Sequence, residues 1–151
     1  MIIPTLPRPA GAALLIAVAA LAIGSAGARS QPNTFVAVLN AGQLNPMPAN
    51  NSSGVGFGTL EPDGTFCFAL SYSLGGTENE AHIHGPALPG ASAGVRWGLA
   101  IGAPKKACVG PLTKKEKKNL RGGLYYFVIH SEDFLRGEIR GQIVPVVAPG
   151  T

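Results

Sequence analysis

From Asn33 onward, apolar and polar residues alternate with period two in a series of short runs separated by turn residues. Successive side chains of a strand point to opposite faces, so this alternation marks strands with one face on a core. "TFVAVL" (34–39) predicts a first strand and "VGFGTL" (55–60) a second, with the polar loop "GQLNPMPANNSSG" between them. "EPDG" is a turn with Pro second and Gly fourth. "TFCFALSYSL" (65–74) then gives the clearest alternation, with Phe66, Phe68, Leu70, Tyr72 and Leu74 on one face and Cys67, Ala69, Ser71 and Ser73 on the other. "AHIH" (81–84), "VRWGLAI" (95–101), "GLYYFVIH" (123–130) and "GEIRGQIVPV" (137–146) complete about seven strands. Short strands with turn chemistry between them predict an all-β antiparallel sandwich or barrel. One short helix interrupts: in "LTKKEKKNLRGG", Thr113 is an N-cap, Glu116 completes a capping box, and Gly122 is placed to end it.

The first thirty residues follow another pattern. An unbroken apolar run from Ala12 to Ile23 comes after the basic Arg8 and leads to the small-residue segment Ala26-Gly27-Ala28. This is the form of a signal peptide over residues 1–28. The run is shorter than the roughly 20 residues that a membrane span requires. The expectation is a secreted or periplasmic protein with one domain over residues 30–146, a tail over 147–151, and no membrane span once the leader is cleaved. In an oxidising compartment the two cysteines, Cys67 and Cys108, are expected to form a disulfide. The formal net charge is +4, or about +3 without Arg8, too small to imply nucleic acid. All lysines lie between Lys105 and Lys118; a solvated helix face accounts for them better than an anion-attracting surface does. Asn50 and Asn51 head two overlapping glycosylation sequons.

The chain has three histidines. His82 and His84 form a His-x-His pair, so on a strand both project from one face while Ala81 and Ile83 turn to the core. Imidazoles so placed can converge on one ion at about 2.0 Å from each nitrogen. His130 ends its own strand, on the side of Leu124, Tyr126 and Val128. If the two strands pair or face each other, the three rings can meet at a copper or zinc ion with one position open. The competing expectation is that these rings brace turns through backbone hydrogen bonds.

"FVAVLNAGQ", "AHIHGPA", "GGLYYFVIHS" and "GEIRGQI", in that order, resemble the CHRD (chordin) domain family, over Thr34 to about Val144. The resemblance implies an immunoglobulin-like β-barrel with limited similarity to Cu/Zn superoxide dismutase; most of the family has no assigned activity. On that more distant similarity, His82 and His84 match the dismutase copper pair and His130 the later copper ligand. The metal-bridging histidine has no counterpart, the zinc loop is missing, and Arg140 stands where the dismutases carry a cysteine. The similarity therefore implies at most a three-histidine copper site without zinc. Glu138 and Arg140, on one strand face, are expected to pair and brace the sheet, or else to orient a ligand imidazole without touching the metal.

The sequence reading is thus an exported metal-binding module for copper or zinc. A copper-only dismutase-like enzyme and an extracellular interaction domain with a protein partner are the alternatives. No G-x-S-x-G elbow or carboxylate pair points to hydrolysis.

Overall fold

Phe66, Phe68 and Leu70 are buried, as their alternation predicts, and they form one wall of the core. The computed structural model describes residues 31–147; the expectations for the leader and for residues 148–151 lie outside the described residues. The chain runs β1 (Thr34–Asn40), a 3-10 turn (Ala41–Gln43), β2 (Ser53–Leu60), β3 (Phe66–Ser73), β4 (Glu78–His84), β5 (Val95–Leu99) and β6 (Lys105–Val109). Helix α1 (Lys114–Arg121), β7 (Tyr126–Ser131), β8 (Phe134–Gln142) and β9 (Val144–Pro145) follow. The strands hydrogen-bond in the order β5-β4-β7-β8-β1-β2-β3-β6, with β9 added to β1. All pairings are antiparallel, and the β8–β1 seam is a single pair, Asn40 with Arg140. Two four-stranded halves therefore meet at a corner and enclose the core as a nearly closed sandwich.

The described residues form nine strands where the sequence predicts about seven. The run 137–146 divides at Ile143 into β8 and β9. Strand β6 is hidden in the sequence by its two lysines, yet Lys105 is buried because Glu78 neutralises it. The helix forms as its capping box predicts: the Thr113 hydroxyl accepts from the Glu116 amide, and Glu116 Oε2 accepts from the Thr113 amide at 2.8 Å. Glu116 also pairs with Arg96 of β5, and Leu120 seals the core beneath the helix.

Strand β2 inverts the expected pattern. Gly56 and Gly58 face the core, whereas Val55 and Phe57 face outward and are exposed. Glycine is needed here because the large residues of β3 occupy the space. A Cβ at Gly56 would stand 2.5 Å from Leu70 Cδ2, and one at Gly58 would stand 2.6 Å from the Phe66 ring. Gly58→Ala should therefore destabilise the fold by about 1–3 kcal/mol through overpacking, read from urea unfolding.

Cys67 and Cys108 lie opposite each other on β3 and β6 and are joined by a disulfide. It ties the edge strand β6 to the sheet and closes a long loop. Replacing both cysteines by serine should cost about 2–4 kcal/mol, measured by thermal or chemical unfolding. Among the described residues, no helix is long and apolar enough to cross a membrane.

Candidate functional site: a three-histidine cluster

Pairing of β4 with β7 brings the histidines together. The register sets His82 against Val128, His84 against Tyr126, and Glu80 against His130. Ala81 and Ile83 fill the core, so His82 and His84 stand on the outer face of the sheet, with Tyr126, Val128 and His130 beside them. Ring centroids are 5.1 Å apart for His82 and His130, 5.5 Å for His82 and His84, and 6.4 Å for His84 and His130. One ligand nitrogen from each ring lies within 4.8 Å of the other two. His82 Nδ1 and His130 Nε2 are 3.3 Å apart, the spacing of two tetrahedral ligands bonded at about 2.0 Å.

Backbone carbonyls fix two of the tautomers. A carbonyl only accepts, so His84 Nδ1 must donate to Ala93 O at 2.9 Å, and His130 Nδ1 must donate to Leu135 O at 3.1 Å. Each Nε2 is left as a lone-pair donor. That of His84 is buried and has no hydrogen-bond partner among the described residues, an arrangement that costs free energy unless something binds there. His82 can present Nδ1 to an ion by moving its proton to Nε2, which lies 3.9 Å from Glu80 Oε2. Burial is the largest cause holding His82 and His84 below the usual imidazole pKa. At His82 the His130 ring adds to it and Glu80 opposes it; at His84 the Ala93 carbonyl opposes it and His82, His130 and Arg140 add to it. Both rings are therefore neutral at neutral pH, the form that binds metals.

A loop, residues 85–94, covers the outer face next to the cluster. Its start requires glycine: Gly85 has φ +135°, and a Cβ there would lie 2.5 Å from the Tyr125 ring. This accounts for the Gly-Pro step directly after His84. Gln142 Nε2 donates to Ala87 O, Arg140 Nη1 to Ala91 O at 2.8 Å, and the Ala93 amide to the Tyr126 hydroxyl. The loop thus carries Ala93 O to His84. On the other side of β4, Gly98 opposes His82, and a Cβ at Gly98 would meet no atom within 4 Å. That side of the cluster is open to a small ligand.

Glu138 and Arg140 do not pair with each other, which corrects the sequence expectation. Both are buried, and each is held by its own set of partners. Glu138 Oε1 accepts from the Ser52 hydroxyl and from the Gly75 amide at 2.6 Å. Burial alone would raise its pKa, but the donors gathered round it, the Ser52 hydroxyl and Gly75 amide among them, outweigh it and hold the carboxyl below its usual range. Arg140 turns instead to the loop and to Gln142 Oε1 at 2.9 Å, and its guanidinium carbon sits 3.6 Å from the Tyr126 ring centre. Tyr126 in turn stacks on His84 at 5.3 Å. Arg140 therefore reaches the histidines through Tyr126 and the loop, while Glu138 braces the turn after β3.

The sequence reading missed Glu80, Tyr126 and the two carbonyls as partners of the rings. Glu80 was legible, since it shares the alternation of "EAHIH" with both histidines.

The family model for the CHRD domain matches residues 35–143, most of the chain. The chain belongs to the CHRD domain family. No curated protein and no solved structure gives a significant match to it. The matched span of this CHRD domain contains all three histidines, both cysteines and the covering loop.

Proposed function

We propose that this CHRD domain is a metal-binding module of an exported protein, holding one copper or zinc ion on His82, His84 and His130. The observation that carries the reading is the buried His84 Nε2, unpartnered among the described residues, in a group whose ligand nitrogens all lie within 4.8 Å. Neutral imidazoles suit copper and zinc, and three of them leave a coordination position free. The leader-like segment and the disulfide support export. Metal analysis of protein purified from its native compartment tests the reading: about one copper or zinc per chain is expected, and a metal-free protein that takes up neither ion contradicts it.

A second reading, an extracellular interaction domain, draws on a different face. Val38 and Val55 pair across β1 and β2, Phe57 lies beside them, and all three are exposed. Exposed apolar clusters of this kind mark protein contacts. Phe57→Asp should leave metal uptake intact and abolish any protein association made through this face, so single substitutions separate the two readings.

A further inference from the structure

We infer that the three-histidine site holds cuprous copper in preference to cupric copper, and that Arg140 sets this preference. The inference rests on the reading of His82, His84 and His130 as metal ligands and adds the charge state that they favour. The three ligand nitrogens are neutral, so none of them offsets the charge of the ion. The carboxylate nearest the rings on β4, Glu80, is largely exposed and faces the back nitrogen of His82 from 3.9 Å, where solvent screens it. Arg140 is the opposite case. It is 2% exposed and forms no ion pair among the described residues; its partners are Leu88 O, Ala91 O, Gln142 Oε1 and the Tyr126 ring. Glu138, two residues away on β8, faces Ser52 and Gly75 and leaves the guanidinium charge uncompensated.

The guanidinium lies close enough to act on the site. Its carbon is 3.6 Å from the Tyr126 ring centre, and that centre is 5.3 Å from the centre of His84, so it stands within about 9 Å of the His84 ring. An ion bonded to His84 Nε2 stands roughly 3 Å beyond that ring centre, so within about 12 Å of the guanidinium; with the effective permittivity of about 20 that suits protein sites, one added unit of charge on the ion is disfavoured on the order of tenfold. Geometry acts in the same direction. Cupric copper prefers a tetragonal set of nitrogen and oxygen donors, whereas the cluster supplies three nitrogens. Removing one unit of ionic charge relieves the repulsion, and a three-coordinate ion needs no further protein ligand.

The test measures both affinities on the full folded protein. Cuprous ion, kept reduced with ascorbate under anaerobic conditions, is titrated against a chromogenic cuprous chelator. Cupric ion is titrated separately against glycine as competitor. The wild type should bind cuprous ion at least tenfold more tightly than cupric ion. Arg140→Gln should lower that ratio on the order of tenfold, equivalent to about 59 mV in a one-electron potential; Arg140→Lys should keep it. Because Arg140 also holds the loop, Arg140→Lys serves as the control: it gives up the guanidinium's contacts with the loop but keeps the charge, so a ratio kept in Arg140→Lys and lowered in Arg140→Gln follows the charge. A wild type that favours cupric ion, or a ratio that Arg140→Gln leaves unchanged or that falls equally in both variants, overturns the preference alone. A wild type that binds neither ion overturns the site itself.

Discussion

His84→Ala should lower the affinity for copper or zinc at least a hundredfold while the protein still folds. His84 supplies the buried Nε2 that has no partner among the described residues, and without it only His82 and His130 remain, a pair on adjacent strands. Changes to residues that merely orient a ligand already cost about 10–100-fold in metal affinity, so removal of a ligand should reach or exceed the upper end of that range. Glu80→Gln should fall lower in the series, at about tenfold, because the carboxylate only steadies the proton on His82 Nε2. The fold should tolerate His84→Ala because β4 is anchored from its other face by Ala81 and Ile83. Competition titrations with a chelator of known affinity, alongside circular dichroism, check both points. Wild-type affinity in His84→Ala would place any bound ion elsewhere.

Lys105→Met should destabilise the domain by about 3–5 kcal/mol, the cost of leaving a buried charge without its partner. Lys105 Nζ donates to Glu78 Oε1 at 2.5 Å and to the carbonyls of Ala100 and Gly102, joining β6 to β4 across the open edges of the two half-sheets. Glu78 Oε2 accepts from the Tyr72 hydroxyl at 2.6 Å and from the Gly102 amide at 2.9 Å. Removing both charges, as in Lys105→Met with Glu78→Leu, should recover much of the loss, because well-packed apolar groups often replace a buried pair at little cost. Urea unfolding of the two singles and the double measures the coupling. The pair also sets an acid limit. Burial would raise the Glu78 carboxyl, but Lys105, Tyr72 and the Gly102 amide outweigh it and hold its pKa below 4.5. A carboxyl whose pKa is depressed in the folded state stabilises it fully above the ordinary carboxyl range, and that contribution is lost as pH falls from about 4.5 through the depressed value. Glu138, also depressed, adds a loss of the same sign. Stability should therefore fall below about pH 4.5, and Glu78→Gln should flatten the fall.

Much of the fold was legible because it rests on local alternation. Phe66, Phe68 and Leu70 on β3, and Ala81 and Ile83 on β4, are buried where period two puts them. Strand β2 ran against the rule because its inward face had to be glycine, and only the long-range fit of Phe66 and Leu70 shows this. Strand β6 was hidden because a lysine reads as exposed until its partner, Glu78, is found 27 residues away in the chain. The histidine trio was legible because His-x-His fixes a face, and a third histidine on another predicted strand limits the geometry. Its finer construction was not. The carbonyl of Ala93 reaches His84 through a loop whose course depends on Arg140, 49 residues beyond Ala91. The expected Glu138–Arg140 pair failed for the same reason: adjacency on a strand face says nothing of the partners that distant loops bring.

Zinc titration of nitrogen-15-labelled protein, followed through the histidine ring nitrogens, shows whether three rings on two strands bind one ion. His82 Nδ1, His84 Nε2 and His130 Nε2 should all shift together and saturate at one equivalent, while the Nδ1 protons of His84 and His130 stay in place. A titration in which any of the three rings remains unmoved at one equivalent would contradict a site shared by all three.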